Sequence, residues 1–123
     1  LAAGVFNLAM ILHSDGQHRE ALPLARQARA LRVARFGARH ELVGDSDRLL
    51  GDILAALERH DEAEAALRSA VAINRAGYGP EHSHTRRAEI SLARFEALRG
   101  QPGALTRLQG LADHRDRDIE QRK

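Results

Sequence analysis

Several residue types are scarce or absent in this chain of 123 residues. It contains no cysteine, which excludes disulfide bonds and thiolate chemistry and leaves the cytoplasm as the default compartment that we expect. Aromatic residues make up only 3% of the sequence, so alanine and leucine must fill the core. Because no run of about 18 apolar residues occurs, the sequence predicts no membrane-spanning helix.

An excess of charge of one sign is also lacking. The 19 lysine and arginine residues nearly balance the 17 aspartate and glutamate residues, and no run of basic residues is longer than two. Few aromatic side chains are available to stack on bases. The sequence therefore argues against nucleic acid as a partner.

What the sequence does contain is a repeat with a period of 42 residues. Its clearest copy, Asn7 to Leu31, has two apolar-periodic runs on either side of a polar break, the pattern of two helices joined by a tight turn. Twelve positions are identical after a shift of 42 residues, where chance would give roughly four. In the first copy they are Leu8, Ile11, Leu12, His18, Glu20, Ala21, Arg26, Ala28, Ala30, Ala34, Gly37 and His40. A fainter third copy includes Leu92–Ala93 and Gly100–Gln101.

These residues resemble the tetratricopeptide repeat, in the 42-residue variety of kinesin light chains and many bacterial regulatory proteins. That family's unit begins approximately N-L-A-x-x-L-x-x-x-G-x-x-x-E-A and closes on a G-x-x-H-P loop. The matching residues over about 1–114 are Asn7, Leu8, Ala9, Leu12, Gly16, Glu20, Ala21, Gly37 and His40, then Leu50, Leu54, Glu62, Ala63, Gly79 and His82. The departures are Glu41 and Ser83 in place of the loop proline, Glu58 in place of the turn glycine, and Gly103 and Gly110 in the last predicted helix.

The resemblance implies an all-α fold, an α-solenoid (right-handed superhelix) of three antiparallel helix-turn-helix repeats. We expect repeat 1 at residues 1–42, repeat 2 at 43–84, repeat 3 at 85–114 and a charged tail at 115–123, in a single repeat domain that is a fragment of a longer protein. Arg115 takes the position of Leu31 and Ile73 in the earlier repeats. A charge there predicts that nothing stacks on the last helix.

Turn and capping residues predict where the helices begin and end. The predicted spans are about 1–12, 18–36, 43–57, 62–76, from 83 to a turn at 100–101, and a last helix with Pro102 in its first turn. Gly37 is predicted to be a left-handed C-cap and Asp61 the N-cap of the fourth helix. His40 and His82 recur at the repeat period, which predicts a shared role in the loops, such as hydrogen bonding to neighbouring backbone.

The first predicted helix is apolar nearly all round. Ten of residues 1–12 are hydrophobic, and only Gly4 and Asn7 interrupt them. We expect this helix to pack against a preceding repeat and, without one, to drive self-association through its exposed apolar residues. The alternative is an ordinary terminal helix whose composition is irregular and has no bearing on packing.

No catalytic or metal-binding pattern emerges from the polar residues. Seven histidines are present, most densely at His82 and His84, but no cysteine or H-E-x-x-H spacing accompanies them. No nucleophile is paired with a base, and no glycine-rich phosphate loop is complete. The sequence therefore predicts no enzyme, no cofactor and no metal site.

The resemblance implies that the first helices of successive repeats line a concave groove in which ligands lie. By position, the groove residues are Ala3, Phe6, Asn7, Met10 and His13, then Asp45, Arg48, Leu49 and Asp52, then Arg87, Ile90, Ser91 and Arg94. Kinesin-light-chain grooves use an asparagine at the Asn7 position to hold a peptide backbone, but Leu49 and Ser91 replace it in the later repeats.

The resemblance thus implies a non-enzymatic protein-interaction module that binds a peptide or partner domain in this groove. Because Arg48, Arg87 and Arg94 lie there, we expect a partner with acidic residues or a C-terminal carboxylate. The alternative is a structural segment of a larger multidomain bacterial regulator, of the kinase or transcription-regulator type, with no ligand of its own.

Overall fold

The computed structural model describes the backbone of residues 1–122 and the side chains of residues 1–113. Over this part the chain forms six helices and no strand. They are α1 (Ala2–Ser14), α2 (His18–Phe36), α3 (Glu41–Ala56), α4 (His60–Gly77), α5 (Ser83–Leu98) and α6 (Ala104–Arg122). The predicted all-α solenoid is confirmed. Arg115 and the side chains of the predicted charged tail lie outside the described residues.

The helices form three consecutive hairpins that stack in chain order. Within the hairpins α1 packs on α2, α3 on α4 and α5 on α6, and between them α2 packs on α3 and α4 on α5. Helix α3 also contacts α1 and α5. The first helices of the three hairpins therefore lie side by side in one layer, which is the layer predicted to carry the groove.

Small and aliphatic residues build the core, as the composition requires. Ala21, Ala63 and Leu67 are fully buried, and Phe95 is the one large aromatic residue of the described core. Helix α3 approaches α4 closely at two glycines. A Cβ at Gly51 would lie 2.6 Å from Cδ2 of Leu67, and one at Gly44 would meet the side chain of Asn74.

The two predicted histidine positions cap helices. Nδ1 of His40 accepts a hydrogen bond from the Leu42 amide at 3.1 Å, and Nδ1 of His82 accepts one from the His84 amide at 3.1 Å. Each ring also stacks on an aromatic ring just before it in the chain, Phe36 for His40 and Tyr78 for His82. The predicted shared role in the loops is therefore confirmed, and the histidines start helices at which the loop proline is missing.

Two capping predictions were wrong. Helix α4 begins at His60 with Arg59 as its N-cap residue, so Asp61 lies inside the first turn and favours the helix only through its charge. The turn before α4 is short because the Arg59 amide bonds back to the Leu54 carbonyl at 2.9 Å, which leaves no room for a later start. Gly37 has the predicted positive φ of 92°, but its ψ of 157° is extended rather than left-handed helical.

The start of the last helix also differs from the prediction. Pro102 and Gly103 both precede α6, which begins at Ala104. Gly103 has a φ of 79°, a conformation that a right-handed helix cannot contain. Helix α6 therefore starts after Gly103, at Ala104. Gly110 does lie inside α6, where it lowers helix propensity as expected.

Candidate functional site

The predicted groove residues line two cavities in the layer of α1, α3 and α5. The larger cavity, of about 780 Å³, includes His13, Asp52, Ser91 and Arg94 in its wall. The smaller, of about 120 Å³, is lined by Phe6, Met10, Asp45, Arg48, His84 and Arg87. The sequence predicts twelve groove positions between Phe6 and Arg94, and nine of them line one of these two cavities. The other three, Asn7, Leu49 and Ile90, line neither.

Two hydrogen bonds to Asp52, one within α3 and one from α5, hold polar residues of the predicted groove in place. Oδ2 of Asp52 accepts from Nη1 of Arg48 at 3.1 Å and from the Ser91 hydroxyl at 3.2 Å. Ser91 is only 4% exposed, so its hydroxyl is committed to this bond. The bond between Asp52 and Ser91 therefore links repeats 2 and 3, and Arg48 pairs with Asp52 within α3.

Asp45 and Leu49 are likewise structural. Oδ2 of Asp45 accepts a 2.6 Å hydrogen bond from the Tyr78 hydroxyl, and its Oδ1 accepts one from Nδ2 of Asn74 at 3.3 Å. Nδ1 of His84 lies 3.2 Å from both carboxylate oxygens. Leu49 is 2% exposed and belongs to the core cluster, which includes residues of all three repeats.

The accessible positive charges of the groove are arginines on the α5 side. Arg87, Arg94 and Arg99 are exposed and have no ion-pair or hydrogen-bond partner within residues 1–113, whereas Arg48 is bound to Asp52. Because both groove aspartates already have partners, the third-repeat end of the groove carries uncompensated positive charge.

A histidine pair lies at the α1 end of the larger cavity. Nδ1 of His13 is 2.9 Å from Nδ1 of His18. Burial lowers the pKa of His13, although the nearby Asp52 carboxylate acts in the opposite direction. His13 is therefore uncharged at neutral pH, and the arginines supply the positive charge of this cavity.

Sequence reasoning missed several residues of the larger cavity. Glu58, His60, Leu98 and Arg99 all line it, and all lie in or beside the turns that follow α3 and α5. The prediction considered only positions within the first helices, so residues after their ends were left out. The repeat register could have indicated them, since Glu58 replaces a glycine found at Gly16 and Gly100.

The outer face of α1 is a second exposed surface. Leu1, Leu8 and Ile11 are 92%, 48% and 62% exposed. Their repeat equivalents, buried or partly buried, are Val43, Leu50 and Ile53 in α3 and Thr85, Leu92 and Phe95 in α5. Thr85 Oγ1 donates to the Asn74 carbonyl of α4, so this face meets the second helix of the preceding repeat where one is present.

The described residues offer no site for a metal: among them no three histidine, cysteine, aspartate or glutamate side chains are grouped so that they could hold an ion. Nor does any helix in this part of the chain have the length and apolar character needed to cross a membrane.

Comparison with known proteins supports the resemblance noted above. A search of curated proteins gave no match. A family model described as "Tetratricopeptide repeat" matches residues 1–76, more than half of the chain. The match does not test the kinesin-light-chain variety, which stays a prediction. By its repeat period, its stacked helical hairpins and this match, the chain belongs to the tetratricopeptide repeat family.

Proposed function

We propose that this chain is a non-enzymatic, cytoplasmic protein-interaction module whose groove, formed by α1, α3 and α5, binds a peptide or a partner domain. Repeats of this family generally serve as protein-interaction modules. The observation that supports the groove as the binding surface is the set of unpartnered arginines Arg87, Arg94 and Arg99 along α5 and its C-cap.

The chemistry of these arginines favours an anionic ligand. A guanidinium group presents a planar fork of donors that fits a carboxylate in two-point contact. We therefore propose a ligand whose acidic residues or C-terminal carboxylate contact Arg87 and Arg94. Its apolar residues reach toward Phe6 and Met10, which line the smaller cavity together with Arg87.

Replacing Arg87 and Arg94 together by alanine is expected to weaken binding by about 30-fold, because each of the two charged contacts contributes about 1 kcal/mol at an accessible site. The measurement is a titration of a partner isolated with the full-length protein, at low and high salt. The wild-type affinity should fall with salt more steeply than that of the variant.

The matched control is Arg19→Ala with Arg39→Ala, which removes the same charge from exposed sites on α2 and in the loop before α3. Its affinity should stay close to wild type. If the groove variant instead binds like this control, the groove proposal is wrong. The alternative then takes its place: a structural segment of a larger bacterial regulator with no ligand of its own.

We also propose that the chain self-associates through the outer face of α1, because Leu1, Leu8 and Ile11 lie exposed where their repeat equivalents are covered. Residues 1–12 contain no Asp, Glu, Lys or Arg, so two copies of this helix can pair without charge repulsion.

Leu8→Glu with Ile11→Glu is expected to convert a dimer into a monomer, since each substitution puts a carboxylate into the apolar contact. Sedimentation velocity over a range of concentrations measures the state. The control is Leu98→Glu with Leu105→Glu, which changes two other exposed leucines and should leave the dimer intact. A wild-type chain that is monomeric at high concentration would contradict this proposal.

A further inference from the structure

The turn between α3 and α4 contains a residue that does not suit its backbone conformation. Glu58 has a φ of 61°, and it is the one non-glycine residue with positive φ in the described chain. The equivalent residues of the other two hairpins are Gly16, at 80°, and Gly100, at 75°. Only glycine adopts this conformation readily, so Glu58 is held there at a cost in stability.

The three turns share the same hydrogen bonds, so the backbone does not explain the glutamate. The amide of Gly16 bonds to the His13 carbonyl at 3.1 Å, and that of Glu58 to the Ala55 carbonyl at 3.0 Å. Gly100 makes the equivalent bond to Ala97 at 3.0 Å. A glycine at position 58 would fit this turn as well as it fits the other two.

The second hairpin differs from the first at one further position beside this turn, where Ala55 replaces the equivalent of His13. In the first hairpin His18 has His13 as its ring partner at 2.9 Å. One period later the pair becomes His60 and Ala55, so Nδ1 of His60 is buried without a hydrogen-bond partner. Both differences and the unpartnered ring border the larger cavity, because Glu58, Ala55 and His60 line it together.

The charges of this cavity are divided between its two sides. Glu58, which has no partner in residues 1–113, and Asp52 lie on the α3 side, and Arg94 and Arg99 lie on the α5 side. Leu98, at the end of α5, lines the same cavity and exposes 83% of its surface to the solvent. A long basic side chain has an apolar stem that can cover such a surface and a cationic end that can reach a carboxylate.

We infer that the larger cavity selects a lysine or arginine of the bound segment, next to the acidic group that the arginines bind. The basic group pairs with Glu58, and its stem packs on Ala56 and Leu98. This inference rests on the proposed function, because it names a further feature of the ligand in the same groove. It accounts for a glutamate at a turn position that favours glycine.

The test begins with a phage-displayed library of random 12-residue peptides selected on the immobilised 123-residue chain. Selected peptides should be enriched in lysine or arginine beside an acidic residue. Glu58→Gln should weaken the tightest of them by about twofold to fivefold, and Glu58→Gly should do the same while raising the melting temperature. Asp61→Asn removes an equal charge nearby, outside the cavity, and should change the affinity little.

A peptide in which norleucine replaces the basic residue completes the comparison. It should bind the wild type and Glu58→Gly equally weakly, since the pair is missing in both. Selected peptides without a basic residue, or an affinity unchanged in Glu58→Gln, would overturn this inference and leave the groove proposal standing. If no peptide is selected, or if the selected peptides bind the Arg87→Ala, Arg94→Ala variant as tightly as the wild type, the groove proposal is wrong. This inference is then wrong as well, because it depends on that proposal.

Discussion

A Gly51→Val variant is expected to lose about 2–3 kcal/mol of its free energy of unfolding, because the new side chain has no space between α3 and α4. A Cβ at this position would already lie 2.6 Å from both Cδ2 and Cγ of Leu67, and 3.3 Å from its backbone nitrogen. Leu67 is fully buried in the core, so its side chain cannot adopt another rotamer without displacing its neighbours. Urea unfolding followed by far-UV circular dichroism measures the loss.

The same substitution at Gly110 is the control. Gly110 also lies inside a helix, but nothing comes within 4 Å of the position that a Cβ would take. Valine has a higher helix propensity than glycine, so Gly110→Val should leave stability unchanged or raise it slightly. If both variants lose the same amount, the cause is the valine itself and not the close approach of α3 to α4.

The fold could be predicted because repetition averages out the weak signals of single residues. The boundaries of α2 agree with the prediction, and those of α5 follow from Ser83 and the turn glycine. The errors fall where local geometry departs from the common pattern. Asp61 resembles a good N-cap in sequence, but hydrogen bonds across the preceding turn start α4 earlier.

The groove was only partly predictable, because a position in a repeat does not determine what a side chain bonds to. Arg94 and Ser91 occupy the same predicted groove, yet one is exposed and the other is buried against Asp52. The difference depends on which residue α3 places opposite, and that pairing spans 39 residues of sequence. Leu49 also occupies a predicted groove position, yet it is buried in a core cluster that includes residues of all three repeats.

The polar contact of Asp45 has a consequence for stability that the sequence did not indicate. Asp45→Ala is expected to cost about 2 kcal/mol, because it leaves the Tyr78 hydroxyl without its acceptor and the Asn74 amide group with the His84 carbonyl as its remaining acceptor. Denaturant unfolding should show the loss, and Asp61→Ala, at an exposed carboxylate of α4, should show almost none.

The hydrogen bond between Tyr78 and Asp45 also makes the stability of the folded chain depend on pH. This pH dependence allows the contribution of the contact to be recognised in an experiment. Burial, and then the hydrogen bond to Asp45, raise the pKa of Tyr78 above its ordinary value of 10.0. The folded chain therefore holds this proton more tightly than the unfolded chain, so the stabilisation is complete below about pH 10 and is lost as the pH rises further. Tyr78→Phe should remove this alkaline loss of stability while keeping most of the ring packing. A Tyr78→Phe variant that loses stability above this pH as steeply as wild type would show that the Asp45 contact is not its source.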